Sequence, residues 1–238
     1  MRLGTLTDDT PKTLLDIGGK PMLGHIIEGF ALTGIDSFVI VAGYLAHQVE
    51  DFSRRFSADH PELKIETVHQ RELNGTAGAM LCARSFVAEN DFVFGWGDIL
   101  MDRENYPRFV KSARETSYDL LLAVNRTSDP YRGAAVYVDG QMRVERLVEK
   151  PPRGTSTSNW NNAGLFAAGV SIFDYLEKLA PSERGELELP AAIGQMIADQ
   201  KNVRAIDIRG FWSDVGTAED LELARQRFKP GRNVDDAS

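Results

Sequence analysis

Phe92-Val93-Phe94-Gly95-Trp96-Gly97-Asp98 is the stretch on which the reading of this chain turns. Its aromatic and β-branched start reads as a short buried strand. The two glycines that follow let backbone and ligand approach closely. The run then ends on a carboxylate, so a buried strand delivers Asp98 at its carboxyl end. Open α/β sheets collect their ligands at that end of their strands.

Working outward, further strands are expected at residues 37–42, 64–68, 91–94, 120–124, 134–138 and 203–207. Helical periodicity is expected at residues 22–32, 45–56, 77–86, 108–115, 172–179, 189–198 and 220–227. Alternation of the two implies an α/β fold: a Rossmann-like, mostly parallel sheet with helices on both faces. Residues 134–138 and 143–149, joined through Asp139-Gly140, form an expected antiparallel hairpin beside that sheet. Residues 151–161 are rich in Ser, Thr, Gly and Pro and read as a loop near a site, and 165–172 read as a further apolar strand. No linker or repeat divides the chain, so residues 1–228 are read as one domain and 229–238 as a polar tail.

Composition narrows the function. The 238 residues carry a formal net charge of −8 and no basic face, which argues against a nucleic-acid partner. An anionic substrate would then be held by a few Lys or Arg side chains, helix N-termini or a metal. Cys82 is the only cysteine, so no internal disulfide framework and no cysteine-based zinc site is expected. The four histidines show neither HxH nor HExxH spacing. There is no signal-peptide pattern and no apolar run long enough to span a bilayer, so a cytoplasmic protein without a membrane partner is expected.

A second carboxylate, Asp214, lies in Gly210-Phe211-Trp212-Ser213-Asp214-Val215-Gly216-Thr217 and also follows an expected strand. Two such carboxylates suit Mg²⁺, which takes few protein ligands and shares itself with phosphate oxygens. Taken alone, either Asp also suits a turn or a helix cap. Lys12, after Pro11, offers a cation for phosphate charge. Lys20 opens a helix as a secondary phosphate or structural candidate. Leu73-Asn74-Gly75-Thr76-Ala77-Gly78-Ala79 is a small-residue loop entering a helix, open to a planar base or simply an N-cap at Thr76. Glu149-Lys150-Pro151 ends the hairpin, and Asn161-Asn162-Ala163-Gly164 opens the next strand; both offer groups for sugar hydroxyls and phosphate.

In this order, the segments Arg2-Leu3, Thr10-Pro11-Lys12-Thr13-Leu14, Gly19-Lys20-Pro21-Met22, Leu73–Ala79, Gly97-Asp98, Val148-Glu149-Lys150-Pro151, Asn162-Ala163-Gly164 and Trp212–Thr217 resemble the sugar-1-phosphate nucleotidyltransferases. The resemblance covers about residues 2 to 225. It implies that Arg2 and Lys12 hold the triphosphate and the attacking sugar phosphate. It implies that Gln70, Gly75, Thr76, Ala77 and Gly78 face base and ribose, and that Asp98 and Asp214 bind Mg²⁺. It implies that Glu149, Lys150, Asn162 and Gly164 hold the sugar phosphate. The substrates implied are a nucleoside triphosphate and a sugar 1-phosphate, joined by in-line attack on the α-phosphorus, in a chain that can form a homo-oligomer. The Gly-Thr-Ala-Gly form of the base loop looks more like guanylyl- or uridylyl-transferring members than thymidylyl ones. Two other classes share much of the pattern: an inactive relative that binds nucleotide sugar as a regulatory subunit, and a phosphocholine-type cytidylyltransferase. The family pattern opens with a strand and a Gly-rich loop ahead of the residue matched by Arg2. The 238 residues do not include these, so two neighbouring strands are expected to show unpaired edges.

Overall fold

A computed structural model describes residues 3–87 and 89–229; Arg2 and residues 230–238 of the expected tail lie outside the described residues. In chain order the strands are β1 (Asp16–Ile17), β2 (Lys20–Pro21), β3 (Ser37–Ala42), β4 (Lys64–His69), β5 (Phe92–Gly95), β6 (Ile99–Met101), β7 (Leu120–Arg126), β8 (Ala134–Val138), β9 (Val144–Glu149), β10 (Trp160–Ala168), β11 (Val203–Asp207) and β12 (Trp212–Asp214). The helices are α1 (Met22–Ala31), α2 (Ala46–Asp59), α3 (Thr76–Ala83), α4 (Asn105–Glu115), α5 (Ile172–Leu176), α6 (Leu189–Ala198) and α7 (Ala218–Arg227).

The α/β class holds, and helices cover both faces of the central sheet. Side chains alternate across a strand. Leu120, Leu122 and Val124 of β7, with Phe166 and Ala168 of β10, therefore face Ile172, Phe173, Ile193 and Met196 of α5 and α6. Leu121, Ala123, Leu165 and Ala167 face the other way, onto Tyr106 and Phe109 of α4 and Ile26 and Phe30 of α1. Both β7 and β10 read as near-continuous apolar runs because they are buried on two sides.

The sheet is mixed rather than mostly parallel. Its order is β11-β7-β10-β8-β9, with β5 also on β10. β11 pairs β7 in parallel, whereas β10 runs antiparallel to β5, β7 and β8. The reason lies in the connection. β9 and β10 both run antiparallel to β8 and so point the same way; the 150–159 loop carries the chain back across β8 without a helix, which sets β10 against β8, β5 and β7. The strand expected at 165–172 accordingly starts earlier, at Trp160, and ends at Ala168. The β8–β9 hairpin is present from Ala134 opposite Glu149 to Val138 opposite Val144. Its turn is held by Asp139, whose Oδ1 accepts from the amides of Gln141 at 2.8 Å and Arg143 at 2.9 Å.

β3 and β4 form a separate parallel pair. Among the described residues β3 hydrogen-bonds only to β4, and β5 only to β10. Phe38, Val39, Ile40 and Val41 on β3, and Phe92, Val93 and Phe94 on β5, are correspondingly half-buried.

Candidate active site

The centre of the site is Lys12. Its Nζ donates to Asp98 Oδ2 at 2.8 Å and to Asp214 Oδ1 at 2.9 Å. Three distant pieces of chain converge here for identifiable reasons. Pro11 holds the backbone ahead of Lys12, and Leu14 and Leu15 close a short 3₁₀ turn onto Pro11 and Lys12. Asp98 follows β5 through Gly97, where a Cβ would stand 3.0 Å from Thr13 Cγ2. Asp214 ends β12, which pairs antiparallel with β6 so that Asp214 lies opposite Ile99. The Val215 amide donates to Asp98 O at 3.1 Å and closes the pair.

A buried polar frame keeps that pair in register. Asp102 is 4 % exposed; its Oδ1 accepts from Arg227 Nε at 2.7 Å and its Oδ2 from the Phe211 amide at 2.8 Å. Asn105 donates from Nδ2 to Arg209 O at 2.7 Å and accepts the Arg209 amide on Oδ1 at 2.9 Å. These contacts fasten the turn after β6 to the turn before β12. Sequence reading missed Asp102, Asn105 and Arg227; the only local signal is a second Asp four residues after Asp98.

Burial alone would lower the Lys12 ammonium. Asp98 and Asp214 outweigh it and hold Lys12 above the usual lysine range. The carboxylates converge on one cationic nitrogen, so a hard cation meets a fitting pair of oxygen donors there. Among the described residues no group of three or more His, Cys, Asp or Glu could hold a metal, so further ligands would be phosphate oxygens and water. An open cavity of about 430 Å³ adjoins Lys12, lined by Leu3, Gly4, Thr7, Tyr44 and Gly216. Tyr44 donates to Asp8 O at 2.6 Å and Gln48 to Asp9 O at 2.9 Å, which pins residues 4–10 across the cavity wall.

The base-loop residues gather beside this cavity, joined to it by the β3–α2 loop. Gly43 packs on Leu73 and Gln70, while Tyr44 lines the cavity. Gln70 is a brace rather than a free amide: Nε2 donates to Asn74 Oδ1 and to Gly75 O, each at 3.0 Å. Gly75 has φ +99°, a conformation that favours glycine. Thr76 opens α3, and its Oγ1 accepts the Leu189 amide at 3.0 Å, so the hydroxyl serves the neighbouring segment. Ala77 and Gly78 are buried in the first turn of α3.

The proposed sugar-side residues lie around β10. Asn162 is buried, and its Oδ1 accepts the Gly164 amide at 3.0 Å. Gly164 has φ +73° at an irregularity of β10, and an added Cβ would collide with Trp96 and Ile99. At this point the same edge of β10 passes from β8 to β5. Gly164 O accepts the Trp96 amide at 3.1 Å, which ties the sugar side to the turn carrying Asp98. Glu149 is half-buried at the end of β9, and burial raises its pKa above the ordinary carboxyl value despite the adjacent Lys150. Lys150 has φ +42° and donates its amide to Gly133 O at 2.7 Å. Gly133 itself was missed by sequence reading; a Cβ there would collide with Asn161 Oδ1. Lys20 is not part of this assembly. It pairs with Glu28 in a different cavity, of about 220 Å³, walled by Asp102, Tyr106 and Arg227.

A family model described as nucleotidyl transferase matches residues 1–229. The chain is 32 % identical over 234 residues to the bifunctional protein GlmU of Methanocaldococcus jannaschii, covering 98 % of this chain and 53 % of that one. It therefore spans about half the length of that curated relative. It is 30 % identical over 230 residues to the UTP–glucose-1-phosphate uridylyltransferase AglF of Haloferax volcanii, covering 96 % of this chain and 92 % of that protein. In fold it is similar to a putative glucose-1-phosphate thymidylyltransferase from Bacillus anthracis, with a TM-score of 0.84 at 23 % identity over 98 % of this chain and 92 % of that one. A UDP-glucose pyrophosphorylase bound to UDP-glucose superposes with a TM-score of 0.80 at 17 % identity over 95 % and 93 % of the two chains. The chain belongs to the nucleotidyl transferase family.

Proposed function

We propose that this chain transfers a nucleoside monophosphate from a nucleoside triphosphate to a sugar 1-phosphate and releases pyrophosphate. The observation that carries the reading is the convergence of Asp98 and Asp214 on Lys12 at the wall of an open cavity. Such a cluster suits phosphoryl chemistry, where positioning and charge neutralisation account for most of the catalysis. Similarity to the uridylyltransferase AglF supports the substrate classes.

In the reaction a sugar-phosphate oxygen attacks the α-phosphorus in line. A new P–O bond forms, the bond to the β-phosphate oxygen breaks, and pyrophosphate leaves with the bonding electrons. The attacking phosphate is already anionic, so no protein base is required. Lys12 neutralises phosphate charge, and Gln70 with Gly75, Thr76, Ala77 and Gly78 shapes the base pocket. Glu149 accepts hydrogen bonds from sugar hydroxyls; Lys150, Asn162 and Gly164 form the rest of the sugar side, with Arg2 a second phosphate ligand. Asp98 and Asp214 would hold Mg²⁺, which supplies charge neutralisation to the phosphates when bound. A cytoplasmic enzyme, forming a homo-oligomer and needing neither membrane nor nucleic acid, completes the proposal. The test is a pyrophosphate-release screen of UTP, GTP, dTTP and CTP against sugar 1-phosphates and phosphocholine, with and without Mg²⁺. Release with a sugar 1-phosphate that ceases on chelation is the expected result. Release with phosphocholine alone, or none with any pair, would overturn it.

A further inference from the structure

The segment Pro181-Ser182-Glu183-Arg184-Gly185-Glu186-Leu187-Glu188 leads into α6, and of its surroundings only the Leu189 amide, on Thr76, has entered the site as described so far. It folds on itself first. The Gly185 amide donates to Ser182 O at 2.8 Å and the Ser182 amide to Glu186 O at 2.9 Å, with Gly185 at φ +77°. This turn sends residues 187–189 alongside the base loop, and the contact is made almost wholly by main chain. The Leu187 amide donates to Asn74 O at 2.6 Å, Leu187 O accepts the Ala77 amide at 2.9 Å, and the Leu189 amide donates to Thr76 Oγ1 at 3.0 Å. Gly75 fits here because a Cβ would stand 2.5 Å from Leu187 O. Three hydrogen bonds therefore fasten Asn74, Thr76 and Ala77, with Gly75 packed between them.

Glu188 lies between the two clamping residues, Leu187 and Leu189. Its side chain is 20 % exposed, and its Oε1 accepts from Arg184 Nη2 at 2.8 Å, one turn back across the same bend. The Arg184 guanidinium keeps the Glu188 carboxyl below its ordinary pKa. The charges of Glu188 and Arg184 also reach Glu149, Glu188 pushing its carboxyl up and Arg184 pulling it down.

We infer that Glu188 is a positioning residue: through its pairing with Arg184 it fixes the Leu187 peptide against Asn74 and Ala77 and so sets the nucleotide pocket. This rests on the reading of residues 75–78 as nucleotide-facing. Neither side chain of the pair makes the clamp itself, so removing the pair loosens the loop without deleting any of its hydrogen-bonding atoms.

The test uses Glu188→Ala, Glu188→Gln and the exposed Arg184→Ala beside the unaltered chain. Amide hydrogen exchange is read without substrate on peptides covering residues 74–79 and 120–124. Binding of UTP is read by calorimetry, and KM and kcat by pyrophosphate release with UTP and glucose 1-phosphate varied separately. Glu188→Ala and Arg184→Ala are expected to speed exchange at 74–79 about tenfold while 120–124 keeps its protection. UTP affinity is expected to fall and its KM to rise about tenfold, with kcat nearly unchanged. Glu188→Gln retains an acceptor for Arg184 and should recover most of the loss. Unchanged exchange at 74–79 in both deletion variants would overturn the inference, as would faster exchange with unaltered UTP affinity. An unaltered chain that binds UTP but releases no pyrophosphate would instead sink the reading of the reaction, and exchange with binding would still decide the clamp.

Discussion

At the scale of single residues, the site is a problem of unlike charges held close at moderate exposure. Asp98 and Asp214 are 37 % and 57 % exposed, so solvent screens both, and each ion pair with Lys12 contributes little to stability. Lys12→Ala is therefore expected to change global stability by less than about 1 kcal/mol. It should lower kcat by about 10²–10³-fold, the usual loss on removing one preorganised charge-stabilising donor. Thermal unfolding beside a pyrophosphate-release assay checks both halves; a well-folded variant with near-normal turnover would refute the role of Lys12. Glu149 behaves differently, because burial disfavours its charged form. Its folded pKa lies above its unfolded one, so between the two the native state binds more protons and stability falls as pH rises. Glu149→Gln is accordingly expected to stabilise the fold at neutral pH while weakening use of sugar 1-phosphate. In the unaltered enzyme, KM for the sugar phosphate should climb as pH falls through a value above the ordinary carboxyl range. Denaturation midpoints at pH 5 and pH 7.5, with KM measured across the same span, decide it; a stability gain from Glu149→Gln that is no larger at pH 7.5 than at pH 5 would sink the burial argument.

At the scale of elements, β10 does the most. It pairs with β7 along both of its halves, and its other edge serves β8 near Asn161 and β5 from Leu165 onward. The irregularity at Gly164 is where the partner changes, and Trp96 fills the space that a side chain would need. Gly164→Ala meets two costs at once, a left-handed backbone and a collision with Trp96 and Ile99. It is expected to destabilise the fold by roughly 1–3 kcal/mol and to displace the turn bearing Asp98. Urea unfolding followed by tryptophan fluorescence reads the first effect, and kcat reads the second. Unaltered stability would mean that β10 can straighten there. The legibility of these elements differed for a plain reason. β7 was recognisable as a strand because its first five residues, Leu120 to Val124, are apolar and buried on both faces. The direction of β10 was not, since direction depends on whether the preceding loop crosses the sheet, and no side-chain pattern records that.

At the scale of the whole molecule, the core is divided. Leu23, Ile27, Val49, Phe52 and Phe56 pack with Ala42 at the end of β3 as one cluster, apart from the clusters lining β7 and β10. β3 hydrogen-bonds along one edge only among the described residues, and its apolar side chains are half-buried. A unit with one bare edge and a shallow core should open more readily than the rest. Native-state hydrogen exchange is therefore expected to show β3 and β4 opening well before β7, β10 and β11, in a sub-global step. Equal protection across both groups would show that the two parts unfold as one.

The amino-acid sequence alone determined the types of the longer elements, though not the short strands β1, β2, β6 and β12, and it picked out the carboxylates Asp98 and Asp214, the lysine after Pro11 and the small-residue loop at residues 73–79. Each of these is a local matter: buried strands need apolar β-branched and aromatic residues, tight turns need glycine, and the ordered series of short motifs is carried along the chain itself. Only the tertiary structure decided the mixed sheet, the convergence of Asp98 and Asp214 on a single ammonium, the Asp102–Arg227 frame and the clamp of Leu187 on the base loop. Those contacts join residues separated by as many as 202 positions. The sheet order and the Leu187 clamp rest on main-chain hydrogen bonds, which nearly every residue offers alike, and the ion pairs rest on a chain path that brings distant side chains together, so no local pattern records either.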